Sequence, residues 1–314
     1  MATITINQPA PPAERAPLKK KHLTADHPTW CPGCGDFAVL ASFYKTVEKL
    51  QIPHEKITTI AGIGCSSRFP YFVNGHGVHF LHGRALPFAT GVSLARPDLN
   101  VFVFGGDGDG FSIGGNHLEH AARKNVNITY VIMDNFVYGL TKKQTSPTSP
   151  LGFKSKTDPG GAIDQPVNPM LKLCASGATF VARSHASQIK HMNTIFERAI
   201  NHNGFSVVEV LSECVIFFKG AFDEANPRKE GEFELIEERK WDGTPEDEER
   251  HDTTDQLAAL ALAKEDWPGR FGVYLEQDRP SKNALEHKSI EDAQAKFGDA
   301  SATDLLRQRF DKMK

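Results

Sequence analysis

Two carboxylates and an amide stand out for what they could do together. Gly105-Gly106-Asp107-Gly108-Asp109 sets two carboxylates in a tight glycine-rich turn, and Asn135 follows 28 positions after Asp107. Glycines let backbone N–H groups come close to a phosphate. A carboxylate and an amide oxygen suit Mg²⁺, which takes one or two protein oxygens and completes its shell with water and phosphates. A plain Asx–Gly turn beside a surface asparagine has the same composition, so context decides. An apolar run (residues 101–104) precedes the turn, a helix-like segment follows it, and a second apolar run (residues 128–133) ends in Asp134-Asn135 before Tyr138-Gly139-Leu140-Thr141. That is strand, turn, helix, strand, with polar groups at both strand ends, where open parallel sheets bind ligands.

Cysteines are the second signal. There are five: Cys31, Cys34, Cys65, Cys174 and Cys214. Trp30-Cys31-Pro32-Gly33-Cys34-Gly35 can chelate one centre from one turn, and it opens a segment of helical period over residues 36–50. Three readings compete: a thioredoxin-like redox pair, zinc, and half of an iron–sulfur site. Structural zinc wants a second close pair, which the sequence lacks. A thioredoxin motif wants a strand directly before it, where this chain has a polar, proline-rich arm. Iron–sulfur leads by elimination. Cys65 lies in Gly62-Ile63-Gly64-Cys65-Ser66-Ser67-Arg68, just past a short predicted strand (residues 56–61), and Cys214 lies just past another (residues 206–211). Cys174, inside an apolar helical segment, reads as a buried inert thiol.

Basic residues complete the inventory. Arg68 could pair a carboxylate or phosphate in bidentate fashion. His82-Gly83-Arg84-Ala85 precedes a predicted helix (residues 86–94) and suits a phosphate contact at its start. Lys142 opens a long proline- and hydroxyl-rich loop that runs to Pro169 and reads as a lid or substrate wall.

These groups need a scaffold. The alternation of apolar runs with helical periods predicts a doubly wound, mostly parallel α/β sheet with helices on both faces. Strands are expected at 56–61, 101–104, 128–133, 179–182 and 206–211, with an apolar extended run at 271–275. Helices are expected at 36–50, 86–94, 170–177, 188–201, 255–264, 289–297 and 302–313. Three domains of composition follow: a flexible arm over 1–25, an α/β domain over 26–225, and a polar extension over 226–314. Within that extension residues 228–255 hold twelve acidic and five basic residues and Trp241.

With 314 residues and a net charge of −3, the chain can bury a large core and gives no argument for nucleic-acid or membrane-surface binding. No apolar run approaches the ~20 residues of a membrane span. The first 22 residues lack the apolar core of a signal peptide, and an odd cysteine count argues against a disulfide framework, so a cytoplasmic protein is expected.

Taken together, the motifs WCPGCG (30–35), GIGCSS (62–67), HGRALPFATG (82–91), GGDGD (105–109), DNFVYGLTKKQTSPTS (134–149) and LSEC (211–214) resemble the β subunits of 2-oxoacid:ferredoxin oxidoreductases, especially the 2-oxoglutarate type. The likeness covers about residues 28–225. It implies a thiamine diphosphate enzyme that converts a 2-oxoacid and coenzyme A to an acyl-CoA, or runs in reverse as a carboxylase, with electrons leaving to ferredoxin. It implies one 4Fe–4S cluster on Cys31, Cys34, Cys65 and Cys214. It implies Mg²⁺ on Asp107, Asn135 and the Val137 carbonyl. Cofactor contacts would come from Ile63, Gly64, Cys65, Ser66, His82, Gly83, Arg84, Ala85, Gly106, Asp107, Gly108, Asp109, Asn135, Val137, Gly139, Leu140 and Thr141. Arg68 and Lys142 would face the substrate carboxylates. An α subunit would complete the site, as αβ or (αβ)₂. Three departures stand out: Asp134 where Asn is frequent, Arg68 where Lys is frequent, and Glu213 where Pro often precedes the last cysteine. A pyruvate or broad 2-oxoacid enzyme, a non-redox thiamine diphosphate decarboxylase and a plain iron–sulfur carrier are the competing readings.

Overall fold

Six parallel strands and one antiparallel strand make a single sheet in a computed structural model that describes residues 17–240, 244–298 and 301–313. The strands are β1 (Ile57–Ala61), β2 (His76–His79), β3 (Asn100–Gly106), β4 (Ile128–Asp134), β5 (Phe180–His185), β6 (Phe205–Leu211) and β7 (Gly272–Glu276). Their spatial order is β2-β1-β3-β4-β6-β5-β7, with β7 antiparallel to β5. The central strands β1, β4, β5 and β6 are buried along their whole length, which is why they read as near-continuous apolar runs.

Helices cover both faces, as expected. They are α1 (Lys20–Leu23), α2 (Asp36–Leu50), α3 (Ala85–Ala95), α4 (Gly115–Lys124), α5 (Pro169–Ala175), α6 (Ile189–Asn201), α7 (Pro245–Glu249), α8 (Gln256–Leu262), α9 (Lys282–Phe297) and α10 (Ala302–Asp311). Side chains alternate across β3: Phe102 and Phe104 join the core on the α2 and α6 side of the sheet, where both meet Phe43, while Val101 and Val103 join the core on the other side with Leu86 of α3, Leu118 of α4 and Leu173 of α5. Phe69 stacks on Phe104 with centroids 3.6 Å apart, and Phe43 meets both edge-on.

Packing continues across both expected boundaries. Residues 1–16 and Trp241 lie outside the described residues, but the end of the expected arm is packed. Leu23 is fully buried, Thr24 bridges to Val73, and the Leu18 N–H donates to the Gln51 side chain. Its apolar leucines have a core to enter, so the fold begins before residue 26. The stretch after residue 225 is likewise not all extension. Its strand β7 pairs with β5 and covers that sheet edge. The strand β2 was not anticipated; it is short, polar and exposed at the opposite edge.

The chain leaves β1 for the edge at β2 and returns on the other side as β3. The carboxyl ends of β1 and β3 therefore diverge and open a crevice, the usual ligand position in such sheets.

Candidate active site

Asp109 gathers three strand-end turns onto one oxygen. Its Oδ1 accepts from the Ile63 N–H at 3.0 Å and the Gly83 N–H at 2.8 Å, and lies 2.7 Å from His82 Nδ1. It thereby ties the turn after β1 and the turn before α3 to the end of β3. The residue was expected to touch the cofactor. It is 3% exposed, and that oxygen is taken up by protein donors, so its side chain acts here as a bracket. Gly62 permits the approach: a Cβ there would fall 2.3 Å from both Asp109 carboxylate oxygens. Arg84 also turns to backbone, donating to the Ile113 and Gly83 carbonyls. Ile63 and Leu140 are exposed at the rim. Ser66 is buried beside Gly106, where a Cβ would meet its Oγ at 3.2 Å.

The residues 108–113 wind as a wide π-helical turn, with Ser112 off helical geometry. Single π turns of this kind often mark functional sites. The Tyr138 ring fills the place of a side chain on Gly108, and its hydroxyl donates to the Gly108 carbonyl.

Asp107 is 2% exposed, and its Oδ2 accepts from Thr148 Oγ1 at 2.8 Å. The same hydroxyl lies 2.9 Å from Asp134 Oδ1. A hydroxyl has one hydrogen, so it serves one carboxylate at a time. Burial pushes Asp107 above the usual carboxylate range; burial, then the charges of Asp107 and Glu209, pushes Asp134 well above it. Asp134 Oδ2 is buried without a hydrogen-bond partner. The nearby Arg183 is spent on Glu209 at 2.6 Å. Among the described residues neither Asp107 nor Asp134 has an ion-pair partner, which fits a missing divalent cation. Asn135 and the backbone of Val137 lie just past β4. Asn135 Oδ1 accepts from the Val137 N–H at 3.1 Å, and Phe136 between them has φ +60°. No three His, Cys, Asp or Glu side chains among the described residues close around a single ion, so a cation here needs oxygens from a bound phosphate or water.

After Val137 the chain makes a tight hairpin. Tyr138 bridges to Gln144, and Lys142 and Lys143 both take positive φ. Thr141 and Lys142 are exposed at its tip, and Arg68 is half-buried near Cys65. Neither Arg68 nor Lys142 has an ion-pair partner among the described residues.

The hairpin also faces sulfur. A Cβ on Gly139 would lie 3.5 Å from Cys214 Sγ and 3.7 Å from Cys65 Sγ. Cys31 and Cys34 share a turn closed by the Cys34 N–H to the Cys31 carbonyl, and Gly35 donates to the Glu213 carbonyl beside Cys214. Trp30 Nε1 donates to the Cys65 carbonyl at 2.7 Å. Asp36 is fully buried at the start of α2. It accepts from Ser212 Oγ at 2.6 Å, and burial pushes it up to about 6. Burial, Asp36 and the neighbouring thiols push Cys65 up to about 12 and Cys34 further. Cys65 and Cys214 thus meet at the side-chain-free face of Gly139, with Cys31 and Cys34 within electrostatic reach of them, a set of four thiols that fits an iron–sulfur cluster. Cys174 stands apart, fully buried in α5.

Comparison with known proteins adds identity to this geometry. Residues 62–210 match the family described as thiamine pyrophosphate enzyme, C-terminal TPP binding domain. The 2-oxoglutarate oxidoreductase subunit KorB of Mycobacterium tuberculosis is 45% identical over 74% of this chain, which spans 62% of that relative's length. The 2-oxoacid:ferredoxin oxidoreductase 1 subunit beta of Aeropyrum pernix is 39% identical, over 82% of this chain and 80% of that one. The chain belongs to the β subunits of the 2-oxoacid:ferredoxin oxidoreductases. A solved 2-oxoglutarate:ferredoxin oxidoreductase from Magnetococcus marinus, with 2-oxoglutarate, coenzyme A and succinyl-CoA bound, superposes with a TM-score of 0.81 at 40% identity, covering 93% of this chain and 96% of that one. The family resemblance and the fold class read from the motifs therefore stand. A β subunit of this kind implies an α subunit, and its cradle is one for thiamine diphosphate. No helix among the described residues is long and apolar enough to cross a membrane.

Sequence reasoning missed the hydroxyls of Ser146, Thr148 and Ser149, the buried acids Asp36 and Asp134 as site members, and the bracket formed by Asp109. Four hydroxyls in a proline-rich loop were visible, but nothing local said where they would land.

Proposed function

We propose that this chain, paired with its α subunit, oxidatively decarboxylates 2-oxoglutarate with coenzyme A to succinyl-CoA, passing electrons through a 4Fe–4S cluster to ferredoxin. The same residues serve the reverse carboxylation. The observation that carries this reading is that one short hairpin, Asn135 to Gln144, holds a proposed metal ligand at its base and faces Cys65 and Cys214 at Gly139. Cofactor cradle and thiols are thus parts of one site, which neither a non-redox decarboxylase nor a plain electron carrier needs.

Bound thiamine diphosphate supplies a carbon nucleophile and an electron sink for the 2-oxoacid. This chain's residues do the rest. Asp107, Asn135 and the Val137 carbonyl would hold Mg²⁺ against the diphosphate. The backbone of residues 62–66, 82–85 and 106–109 would line it, with Gly139, Leu140 and Thr141 closing one side. Arg68 and Lys142 supply two unpaired cations for a dicarboxylic substrate. Cys31, Cys34, Cys65 and Cys214 would hold the cluster, with Cys31 the exposed edge toward an electron acceptor. A cytoplasmic location fits a ferredoxin partner.

The test is anaerobic co-purification with the α subunit, then reduction of ferredoxin measured with 2-oxoglutarate or pyruvate and coenzyme A. Coenzyme A-dependent reduction with 2-oxoglutarate is expected. Equal rates with pyruvate would favour a broad 2-oxoacid enzyme, and a complex without iron would sink the redox reading.

A further inference from the structure

The turn Ser146-Pro147-Thr148-Ser149 has no place in the cofactor contacts, yet its hydroxyls reach both strand ends that would carry the metal. Thr148 is 3% exposed, and its Oγ1 lies 2.8 Å from Asp107 Oδ2 and 2.9 Å from Asp134 Oδ1. On the other strand end, the Ser149 hydroxyl donates to the Phe136 carbonyl at 2.6 Å. Phe136 stands in left-handed backbone between Asn135 and Val137, a conformation that costs a non-glycine residue energy and persists only when its surroundings hold it. The turn is itself fixed: the Ser146 N–H donates to Ser149 Oγ at 2.9 Å, the Ser149 N–H to the Ser146 carbonyl at 3.1 Å, and the Val167 N–H to the Pro147 carbonyl at 2.8 Å.

We infer that Thr148 is a positioning residue for the metal site, its hydroxyl setting the rotation of the Asp107 carboxylate while Ser149 on the same turn sets the Asn135–Val137 backbone. This rests on the functional reading above. A carboxylate at a strand end can turn about two side-chain bonds. A hydroxyl held in a fixed turn and bonded to one of its oxygens restricts that freedom, so its remaining lone pairs point one way before any ion arrives. Partners that orient a metal ligand in this manner are worth about 10–100-fold in metal affinity. The turn also lies between the proposed metal site and a cavity of about 450 Å³ lined by Thr148, Phe136, Arg183 and Trp267. Removing the hydroxyl thus leaves Asp107 free to rotate.

The experiment is Mn²⁺ binding, followed by electron paramagnetic resonance, in the αβ complex stripped of metal and supplied with thiamine diphosphate. Thr148→Val keeps the shape and removes the hydrogen bond; it should weaken Mn²⁺ by about tenfold or more, while Thr148→Ser stays within about threefold of wild type. Thr145→Val, whose hydroxyl bonds only Ser155 Oγ at 2.6 Å, should bind as wild type. A merely structural Thr148 would lower the melting temperature of the metal-free complex and leave Mn²⁺ affinity unchanged, and that result overturns the inference. Should Thr148→Val not fold, Ser149→Ala removes the bond from the same turn to the Phe136 carbonyl and carries the same expectation, with unchanged affinity again overturning it. A wild-type complex that takes up no Mn²⁺ with the cofactor sinks the functional reading itself. A wild type that binds beside a Val variant that binds equally sinks only this inference.

Discussion

Gly108 and Tyr138 occupy one volume: a Cβ on Gly108 would lie 2.0 Å from Tyr138 Cε1, and the Tyr138 hydroxyl donates to the Gly108 carbonyl at 3.3 Å. The ring of the hairpin after β4 is thus fitted to the missing side chain of the turn after β3. Gly108→Ala should displace the ring and destabilise the fold by about 1–3 kcal/mol, the usual cost of overpacking. Pairing it with Tyr138→Ala should recover part of that loss. Denaturant unfolding of both single variants and the double variant gives the coupling directly, and strict additivity would refute the fit.

The cysteines separate into four and one. Cys31→Ala, Cys34→Ala, Cys65→Ala and Cys214→Ala should each lose most of the ~4 iron atoms expected for the anaerobic complex. Cys174→Ala should keep them and cost about 1 kcal/mol of stability, because its thiol is sealed in the α5 core. Iron and sulfide analysis decides, and an iron-replete Cys214→Ala would remove that residue from the set.

Lys142 combines strain with an unpaired charge. Its φ of +70° is left-handed, which asparagine tolerates better than lysine. Lys142→Asn should therefore raise stability by about 0.5–1 kcal/mol while lowering activity toward 2-oxoglutarate. Lys142→Ala and Arg68→Ala should both lose 2-oxoglutarate turnover more than pyruvate turnover. Steady-state rates on the two substrates check this; equal losses would count against a role in reading the distal carboxylate.

The metal-free chain should lose stability as pH rises. Burial raises Asp36 to about 6, and Asp107 and Asp134 are raised as well. The folded chain therefore holds protons that the unfolded chain releases above about pH 4, so stability declines as pH climbs through that range to 6 and beyond. Asp36→Asn should remove its share, at most about 3 kcal/mol at pH 7.5, and change little near pH 4. Mg²⁺ with thiamine diphosphate binds the ionised carboxylates, so its stabilising effect should grow with pH. Melting temperatures of the αβ complex at pH 5.5, 6.5 and 7.5, with and without Mg²⁺, test both trends; a Mg²⁺ effect that shrinks with pH would contradict the assignment.

What the sequence disclosed depended on the range of the interaction. The buried strands β3, β4 and β6 and the helix α2 announced themselves because apolar period is local. The GGDGD turn and the cysteine spacings were equally local. β2 escaped because HGVH at an exposed edge carries no apolar pattern. The bracket role of the Asp109 side chain escaped because its partners Ile63, His82 and Gly83 stand 26 to 46 positions away and become neighbours only through the β1–β3 crevice. Thr148 escaped for the same reason. The buried pair of Arg183 and Glu209 sits in two strands that read as apolar, and only the parallel register of β5 and β6 brings them opposite.

Because one oxygen of Asp109 serves the turn after β1 and the turn before α3 as well as its own, the walls of the crevice are fastened to each other by protein bonds alone. Entry of the cofactor then requires little ordering of the chain, and its exit leaves an intact mould.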